Sequence, residues 1–471
     1  AQIERIRTEL TAASDAIFDY AETAFEEYRS AACLKELLTR NGFSLRAEEI
    51  AGLKTAFCAE AGTGEPLIAF LGEYDALPDL SQEAGVCTPS PIVEHGPGHG
   101  CGHHVLGTAA AGAAIATWDF LKRNNKSGTV RFYGCPAEEG GAGKAFMARA
   151  GAFEGVDAAL TWHATDDNNV WSMNFLASLN ARFHFTGISA HAASQGHIGR
   201  SALEGVELMS VGANYLRGHV ERDVCINYAV IDAGGTAANN FPAKATVSYK
   251  IRANTMAKAH AALARLCDIA NGAALMSGTT VEFEHISGSS ELIPNRTLER
   301  LLHEKLMEVG SVPYTQKDWD FAAQIRETFP ENAEESTCNT LSMLYGDAAS
   351  ALIPQIRGKA INDIVYPYVP IAMAKYGSTD VCDVSWFTPV AQVTTACYAK
   401  DTPGHSWFEV AQGKQPLCHN GMINAAKTLA LTAAALFAAP EKLSAVQAEW
   451  ADRRSQKTYH CPVPEHAPSR L

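Results

Sequence analysis

A short glycine-rich loop contains one cysteine and three histidines within seven residues. Residues 98–104 read GHGCGHH, so Cys101 and His103 flank a glycine whose missing side chain leaves room for a cation. Thiolates and imidazoles are ligands that divalent cations such as Zn²⁺ accept. The Ala-rich run 105–121 favours a helix, which would place Cys101 at a helix N-terminus, where the dipole lowers the pKa of a thiol. The loop therefore predicts a metal site.

Two further clusters carry the ligand types that would complete such a site. An adjacent carboxylate pair, Glu138 and Glu139, follows the apolar run 130–133, and His163 follows the predicted strand 158–162. On an extended segment neighbouring side chains point in opposite directions, so one glutamate can bind metal while the other acts on a water. Taken singly, a free cysteine is usually a core residue and a glutamate pair is usually surface charge. Their joint occurrence favours metal-assisted hydrolysis.

Rival functions make different use of the same loop. A thiol hydrolase would use Cys101 as nucleophile with His103 or His104 as base. A zinc nucleoside deaminase is disfavoured because no Pro-Cys-x-x-Cys segment follows a His-x-Glu. The alternating glycines of residues 96–102 also lack the G-x-G-x-x-G spacing of a dinucleotide loop.

The elements that must position these residues alternate between helix and strand. Apolar residues recur at helical spacing over residues 3–17, and a second helix fits residues 30–40. Strands are predicted at 54–60, 66–71, 130–133 and 158–162, with helices at 105–121 and 143–150. This alternation predicts an α/β sheet.

The pattern changes near residue 176. A strand, a helix, two strands, a helix and a strand follow, over residues 175–187, 201–216, 224–231, 245–252, 256–276 and 279–285, which describes a small α+β unit inserted into the larger domain. The larger domain resumes near residue 292. Residues 316–370 are polar and irregular, and the sequence assigns them no element.

Composition sets the broad class of protein. The chain has 471 residues, more than one hydrophobic core supports, so two domains are expected. Its net charge of -14 argues against nucleic-acid and anionic-membrane binding. Twelve scattered cysteines point to a reducing compartment, and hence to the cytoplasm. The longest apolar run, 428–439, is too short to cross a bilayer and predicts a core helix.

Motifs along nearly the whole chain resemble the metallo-amidohydrolases of the aminoacylase and carboxypeptidase G family, in the amidohydrolase branch with a Cys-Gly-His loop. The motifs are GEYDALP (72–78), GHGCGHH (98–104), PAEEG (136–140), WHAT (162–165), GISAHAA (187–193), GGTAANNFPAKATVSYKIR (234–252), GSTDV (377–381) and PGHSWFEVAQGK (403–414). The resemblance implies a mixed-sheet metallopeptidase catalytic domain (phosphorylase/hydrolase-like), formed by residues 1–175 and 292–471. Residues 176–291 would form an inserted ferredoxin-like domain for dimerisation or as a lid.

The resemblance also implies a role for each site residue. Two divalent metal ions, Zn or Mn, would be bound by Cys101, His103, Glu139, His163 and His405. Glu138 would be the general base. His419 is the rival of His405 for the C-terminal position. His191 would reach across a dimer interface to the scissile carbonyl, and Asn239 and Arg252 would bind the substrate's amide oxygen and α-carboxylate.

Two positions depart from the resemblance. His104 stands where the branch usually has an aspartate, and Glu73 and Asp75 stand where relatives outside the branch have a metal-binding histidine. Asp75 could orient a ligand from behind, or could simply form the turn of Asp-Ala-Leu-Pro.

The implied substrate is an N-acyl amino acid. Segments 316–370, 377–381 and 403–408, together with the proline-rich tail TYHCPVPEHAP (458–468), resemble B-type subunits of aroyl-glutamate hydrolases. An aroyl-glutamate such as p-aminobenzoyl-glutamate is therefore the expected substrate. The implied partners are a second copy of the chain and a homologous A-type subunit. A chain that is active only with its partner is the remaining alternative.

Overall fold

The computed structural model describes residues 1–371, 374–375 and 377–465. The end of the proline-rich tail, residues 466–468, lies outside these ranges.

Fifteen strands are present in the described residues. In chain order they are β1 (Ser44–Ala47), β2 (Phe57–Thr63), β3 (Leu67–Glu73), β4 (Gly128–Cys135), β5 (Ala158–Thr165), β6 (Asn169–Val170), β7 (Asn174–Phe175), β8 (Ala177–Thr186), β9 (Ala190–His191), β10 (Cys225–Asp232), β11 (Asn240–Phe241), β12 (Lys244–Ala253), β13 (Thr280–Ser289), β14 (Ala374–Lys375) and β15 (Val390–Ala396).

Sixteen α-helices accompany them over the same ranges. They are α1 (Gln2–Arg5), α2 (Arg7–Tyr20), α3 (Tyr28–Arg40), α4 (His103–Arg123), α5 (Gly143–Arg149), α6 (Ala192–Gln195), α7 (Ala202–Leu216), α8 (Met256–Ser277), α9 (Arg296–Val309), α10 (Gln316–Arg326), α11 (Ala333–Tyr345), α12 (Ala349–Ile356), α13 (Val381–Ser385), α14 (Trp407–Gln412), α15 (Pro416–Ala438) and α16 (Pro440–Arg454).

A seven-stranded mixed sheet forms the centre of the fold, in the order β1-β2-β4-β3-β5-β15-β6. The four strands β4, β3, β5 and β15 are parallel, while β1, β2 and β6 pair antiparallel at the edges. The carboxyl ends of the four parallel strands therefore meet at one edge. In open α/β sheets this edge is where ligands bind.

Helices cover both faces of this sheet, so its strands are apolar on both sides. Every residue of β4 is buried, which explains why its burial does not alternate, and its one charged residue, Arg131, is paired with Glu60. Phe70, Phe132 and Leu160 pack in one core with α4 and α15, and Leu71 and Tyr133 pack in another with α5. Burial on both faces confirms the α/β class predicted from the sequence.

Helix α15 is the only described helix long and apolar enough to cross a membrane by length and composition. It has 23 residues, more than the apolar run 428–439 that marked it in the sequence. In the fold, 67% of its apolar window is buried, and it packs against α4. The predicted core helix is confirmed.

A second, four-stranded antiparallel sheet has the order β10-β12-β8-β13. Its elements follow the chain order βαββαβ, with α7 and α8 packed on one face around a separate core, as in ferredoxin-like folds. Strand β12 alternates in burial along its whole length, because one face meets the helices and the other does not. The domain boundaries at 175/176 and 291/292 stay a prediction, which the separate core supports.

Two parts of the sequence-based prediction need correction. The strand expected at 54–60 begins at Phe57, because residues 51–55 form turns that precede it. Residues 316–370, which carried no predicted element, contain the helices α10, α11 and α12. Apolar residues of α11 and α12 pack against Met173 and Phe175, so this segment has a core of its own beside β7.

Candidate metal centre

The side chains singled out in the sequence gather where the parallel strands end. Asp75 follows β3, the pair Glu138 and Glu139 follows β4, and His163 lies near the end of β5. Residues Cys101 and His103 lie at the start of α4, and His405 lies in the loop after β15. Five segments far apart in sequence therefore converge at one sheet edge.

Three groups of potential ligand atoms lie close together at this edge, each with all its atoms within 4.8 Å of one another. The groups are Cys101, His103 and His163; Cys101, Glu139 and His405; and His103, Glu138 and Glu139. Sγ of Cys101 lies 3.4 Å from Nε2 of His163, and Nε2 of His405 lies 3.5 Å from Oε1 of Glu139. Because the groups share members, they form one continuous cluster of potential ligand atoms.

The rival for the C-terminal position, His419, lies elsewhere. It is on α15, where its Nε2 lies 2.9 Å from Oδ1 of Asp15. His405 instead occupies a loop position with a φ of 51°, and its backbone N–H donates to the carboxylate of Glu409 at 2.9 Å. The structure thus places His405, and not His419, beside the other candidate ligands.

Asp75 orients two of the candidate ligands at once. Its Oδ1 accepts a hydrogen bond from Nδ1 of His103 at 2.9 Å, and its Oδ2 accepts one from the backbone N–H of Glu139 at 2.9 Å. The bond to Nδ1 leaves Nε2 among the other candidate ligand atoms, and such a bond is usual for metal-binding histidines. Burial would raise the pKa of Asp75, but His103 outweighs it and lowers that pKa.

Two atoms of this cluster make no hydrogen bond within the described part of the chain, although Nε2 of His103 lies 3.3 Å from Oε2 of Glu73 and Oε1 of Glu139 lies 3.5 Å from Nε2 of His405. Nε2 of His103 and Oε1 of Glu139 are buried without a hydrogen bond, although burying such groups unpaired costs free energy. A thiol, three imidazoles and a carboxylate form a donor set suited to Zn²⁺ or a similar cation. The residues present therefore fit a metal site.

Behind Glu138 lies a buried ionic cluster that the sequence analysis did not anticipate. Nζ of Lys144 lies 2.6 Å from Oε1 of Glu73 and 2.6 Å from Oδ1 of Asp380. Burial, followed by the negative charges of Glu73 and Glu139, raises the pKa of Glu138 well above its usual range. A carboxylate with a raised pKa takes up a proton more readily, which suits a general base.

Two local expectations from the sequence were wrong. Glu138 and Glu139 lie in a turn and not on an extended segment, because Ala137 before them has a φ of 58°. The pKa of Cys101 is raised well above its usual range, because burial and the charge of Glu139 outweigh any effect of the helix N-terminus.

The remaining histidines of the loop are core residues. Nε2 of His99 contacts the carbonyl oxygen of Ile17 at 3.0 Å, and Nε2 of His104 contacts that of Gly413 at 2.9 Å. Burial lowers the pKa of His99 to about 4 and lowers that of His104 well below its usual range. His104 thus anchors α4 to the loop after α14 and does not face the candidate ligands.

A cavity of about 460 Å³ joins the candidate ligands to the four-stranded sheet. Arg252 lines it, as the sequence analysis expected for a substrate-binding residue, and so does Lys250 from the same strand. His191 and Asn239 do not line it. They lie in the segment around β9 and β11, where His191 is exposed and accepts a hydrogen bond from the backbone N–H of Ser194 at 3.3 Å.

Comparisons with known proteins identify the family. The sequence profile of Peptidase family M20/M25/M40 matches residues 69–351. The chain is 42% identical to the B subunit of p-aminobenzoyl-glutamate hydrolase from Escherichia coli, over 100% of this chain and 98% of that protein. It is 25% identical to the A subunit of the hydrolase from the same organism, over 62% of this chain and 77% of that one.

Solved structures share the fold at low sequence identity. An aminobenzoyl-glutamate utilization protein from Klebsiella pneumoniae superposes with a TM-score of 0.60 at 16% identity, covering 92% of this chain and 96% of that one. A dinuclear metal-binding peptidase of family M20 from Bacillus subtilis gives a TM-score of 0.51 at 18% identity, covering 90% and 99%. The predicted fold class and the prediction of an amide-bond hydrolase are confirmed, and this chain belongs to Peptidase family M20/M25/M40.

Proposed function

We propose that this protein is a metal-dependent amidohydrolase that cleaves the amide bond of an N-acyl amino acid, and that its substrate is an aroyl-glutamate such as p-aminobenzoyl-glutamate. One observation carries the proposal: a single cavity is lined both by Glu138 with four of the candidate metal ligands and by the cations Lys250 and Arg252. The first group suits hydrolysis, and the second suits an anionic substrate. The name of the Escherichia coli relative agrees with this chemistry.

Five residues would hold two divalent cations, Zn or Mn. They are Cys101, His103, Glu139, His163 and His405, whose potential ligand atoms lie together at the strand ends. When bound, the cations would supply the positive charge that activates a water and polarises the amide carbonyl. Asp75 would keep His103 in the tautomer that presents Nε2 to a metal.

Glu138 would take a proton from the attacking water and later deliver it to the leaving amine. A fixed positive charge lies near Glu138, because the ammonium group of Lys144 is held 2.6 Å from a carboxylate oxygen of Glu73 and 2.6 Å from one of Asp380. Arg252 would bind the α-carboxylate through its planar guanidinium, which matches a carboxylate in two parallel hydrogen bonds.

His191 and Asn239 would complete the site from a second copy of the chain. Neither lines the cavity of its own chain, and His191 is exposed. A dimer is supported by strand β10, an edge of the four-stranded sheet whose residues Tyr228, Val230 and Ile231 are exposed. An apolar edge strand tends to pair with another chain. The resulting homodimer would form through the inserted domain.

An A-type subunit is a further proposed partner, since the names of the relatives describe two different subunits of one hydrolase. A location in the cytoplasm also stays a proposal. A thiol hydrolase that uses Cys101 is the second candidate, because Sγ of Cys101 lies within 3.4 Å of Nε2 of His163.

Hydrolysis of p-aminobenzoyl-glutamate by the purified chain tests the proposal. The chain is assayed as isolated, after removal of metal with a chelator, and after Zn²⁺ or Mn²⁺ is restored, with release of p-aminobenzoate and glutamate as the readout. We expect activity that is lost with the metal and regained with it. Activity that persists without metal and is abolished by a thiol reagent would favour the thiol hydrolase. Activity that requires addition of the A-type partner would favour the partner-dependent alternative.

A further inference from the structure

One wall of the cavity is built from three neighbouring strands of the four-stranded sheet. In the register of the four-stranded sheet, Lys250 on β12 lies opposite Asn180 on β8, and Asn180 lies opposite Ser287 on β13. All three line the cavity. Nδ2 of Asn180 donates a hydrogen bond to Oγ of Ser287 at 2.7 Å, which fixes the side-chain orientation of both. These three residues form a continuous polar row across the sheet, here called the lysine row.

A second row lies two residues further along each strand. Arg252 on β12 lies opposite Ser178 on β8, and Ser178 lies opposite Ser289 on β13. The two serine hydroxyls are 3.1 Å apart and hydrogen-bond to each other. Residues two apart on a strand point to the same face, so Lys250 and Arg252 project side by side into the cavity.

A bulge in β13 is what brings its serines to this wall. The pairing of β13 with β8 shifts between His285 and Ser287, leaving Ile286 without a partner in the register. One extra residue in a strand reverses which face the following side chains occupy. Ser287 and Ser289 therefore share a face with Lys250 and Arg252, and the rows would be interrupted at β13 without the bulge.

The two cations of these rows have no directly paired carboxylate among the described residues, although the charges of Glu138 and Glu139 lie near enough to act on Lys250. Neither Lys250 nor Arg252 makes an ion pair with any carboxylate that the structure describes, and Nε of Arg252 is buried without a hydrogen-bond partner. Burial, followed by the charge of Arg252, lowers the pKa of Lys250. The charges of Glu138 and Glu139 offset this lowering only in part, so an anion that contacts both cations would stabilise them.

We propose that the lysine row binds the side-chain carboxylate of an acidic amino acid, while Arg252 binds its α-carboxylate. The inference rests on the proposed function and adds the residue that determines which amino acid is accepted. Lys250 supplies the charge, and the amide of Asn180 and the hydroxyl of Ser287 supply hydrogen bonds at its side. A substrate with two carboxylates would thereby neutralise both cations, whereas a substrate with one would leave Lys250 buried and unpaired.

The variant Lys250→Met tests this subsite, because methionine is similar in length to the lysine stem and has no charge. The assay compares kcat/KM for p-aminobenzoyl-glutamate with that for p-aminobenzoyl-glutamine, which differ only in the side-chain carboxylate. We expect the parent to prefer the glutamate substrate and the variant to lose that preference by about 10- to 100-fold, mainly through KM, since one charged hydrogen-bonded contact disappears. Lys244→Met is the matched control: this exposed lysine lies on the same strand and face but outside the cavity, and the preference should stay as in the parent.

Three results would overturn the proposal. The parent could hydrolyse both substrates equally, or the variant could keep the parent's preference. The kcat/KM of the variant could also fall to the same degree for both substrates. Lys250 would then support catalysis by Glu138 and would not determine specificity. Failure of the parent to hydrolyse either substrate, with both metal and the A-type partner supplied, would instead contradict the proposed function on which the inference rests.

Discussion

Asp75 accepts a hydrogen bond from Nδ1 of His103 at 2.9 Å in a place where both side chains are fully buried. The same carboxylate accepts the backbone N–H of Glu139, so one residue sets the position of two candidate ligands from different segments. The alternative considered from sequence, a simple turn-forming aspartate, does not require either contact. The geometry therefore supports an orienting role for Asp75 in the proposed metal site.

Replacing Asp75 by asparagine should weaken metal binding. The amide oxygen can still accept from His103, but the amide N–H₂ then faces the N–H of Glu139, and two donors repel. We expect metal affinity to fall by about 10- to 100-fold, as for other residues that support metal ligands from behind. The measurement is metal content after dialysis against a graded chelator. Asp79→Asn, in the same turn but exposed, is the control and should bind metal as the parent does. Unchanged affinity in Asp75→Asn would show that its two hydrogen bonds are dispensable.

The adjacent glutamates should respond differently to the same substitution. Glu138→Gln should abolish hydrolysis, by at least about 100-fold in kcat, while metal content stays near that of the parent, because the proton acceptor is lost and no proposed ligand is. Glu139→Gln should lower both metal content and activity. Both variants are measured by metal analysis and by release of p-aminobenzoate. Equal loss of metal in the two would mean that Glu138 is itself a ligand.

His99 should make the fold sensitive to acid. Its pKa is lowered by burial from the usual 6.5 to about 4, so the neutral ring stabilises the fold above pH 6.5 and this contribution is lost as the pH falls from 6.5 toward 4. The difference between these two pKa values corresponds to about 3 kcal/mol in the free energy of unfolding. His99→Gln keeps a donor for the carbonyl oxygen of Ile17 but cannot be protonated, so its free energy of unfolding should fall less over that pH range. Urea unfolding at several pH values measures this, with the exposed His197→Gln as control. If the free energy of unfolding changed with pH to the same extent in the parent and in His99→Gln, His99 would not be a source of the acid sensitivity.

The sequence could identify the candidate ligands because several residues of metal-binding types occur together in short segments. Cys101, His103 and His163 occur in short segments at predicted strand or helix ends, and open α/β sheets bring such ends together. The remaining residues of the site could not be predicted, because their roles depend on contacts between segments that are distant in the sequence. Lys144 lies between Glu73 and Asp380, which are far apart in the chain, and no local pattern pairs them. The sequence also does not distinguish a buried lysine such as Lys144 from an exposed one.

The sequence did not predict the polar rows of the cavity wall, for a related reason. Lys250 joins Asn180 and Ser287 only through the register of three strands, and Ser287 reaches the wall only because of the bulge after His285. A sequence pattern gives the face of each strand but not the register between strands. Residues 316–370 were not recognised because their helices are short and pack on two small local cores, α11 and α12 beside Phe175 and α10 beside Ala399 and Ala411.

The proposed dimer is tested by mixing two inactive variants. His191 is exposed and lies outside the cavity of its own chain, so it does not fit the alternative that it is a buried, hydrogen-bonded core residue. If His191 acts in the partner's site, then a dimer of one His191→Ala chain and one Glu138→Gln chain contains one site that lacks both residues and one that retains both. Random mixing should then restore up to about a quarter of the parent's activity, because half of the dimers are mixed and each has one intact site.

Each other role of His191 gives a different outcome in the same experiment. If His191 serves the site of its own chain, every site in the mixture carries one lesion and no activity returns. If it contributes only to folding, His191→Ala alone should show a lower melting temperature and mixing should restore nothing. His197→Ala, a change at another exposed histidine in the same segment, is the control and should be active without mixing. Recovered activity that scales with the fraction of mixed dimers, while both single variants melt as the parent does, is the result that the shared site predicts.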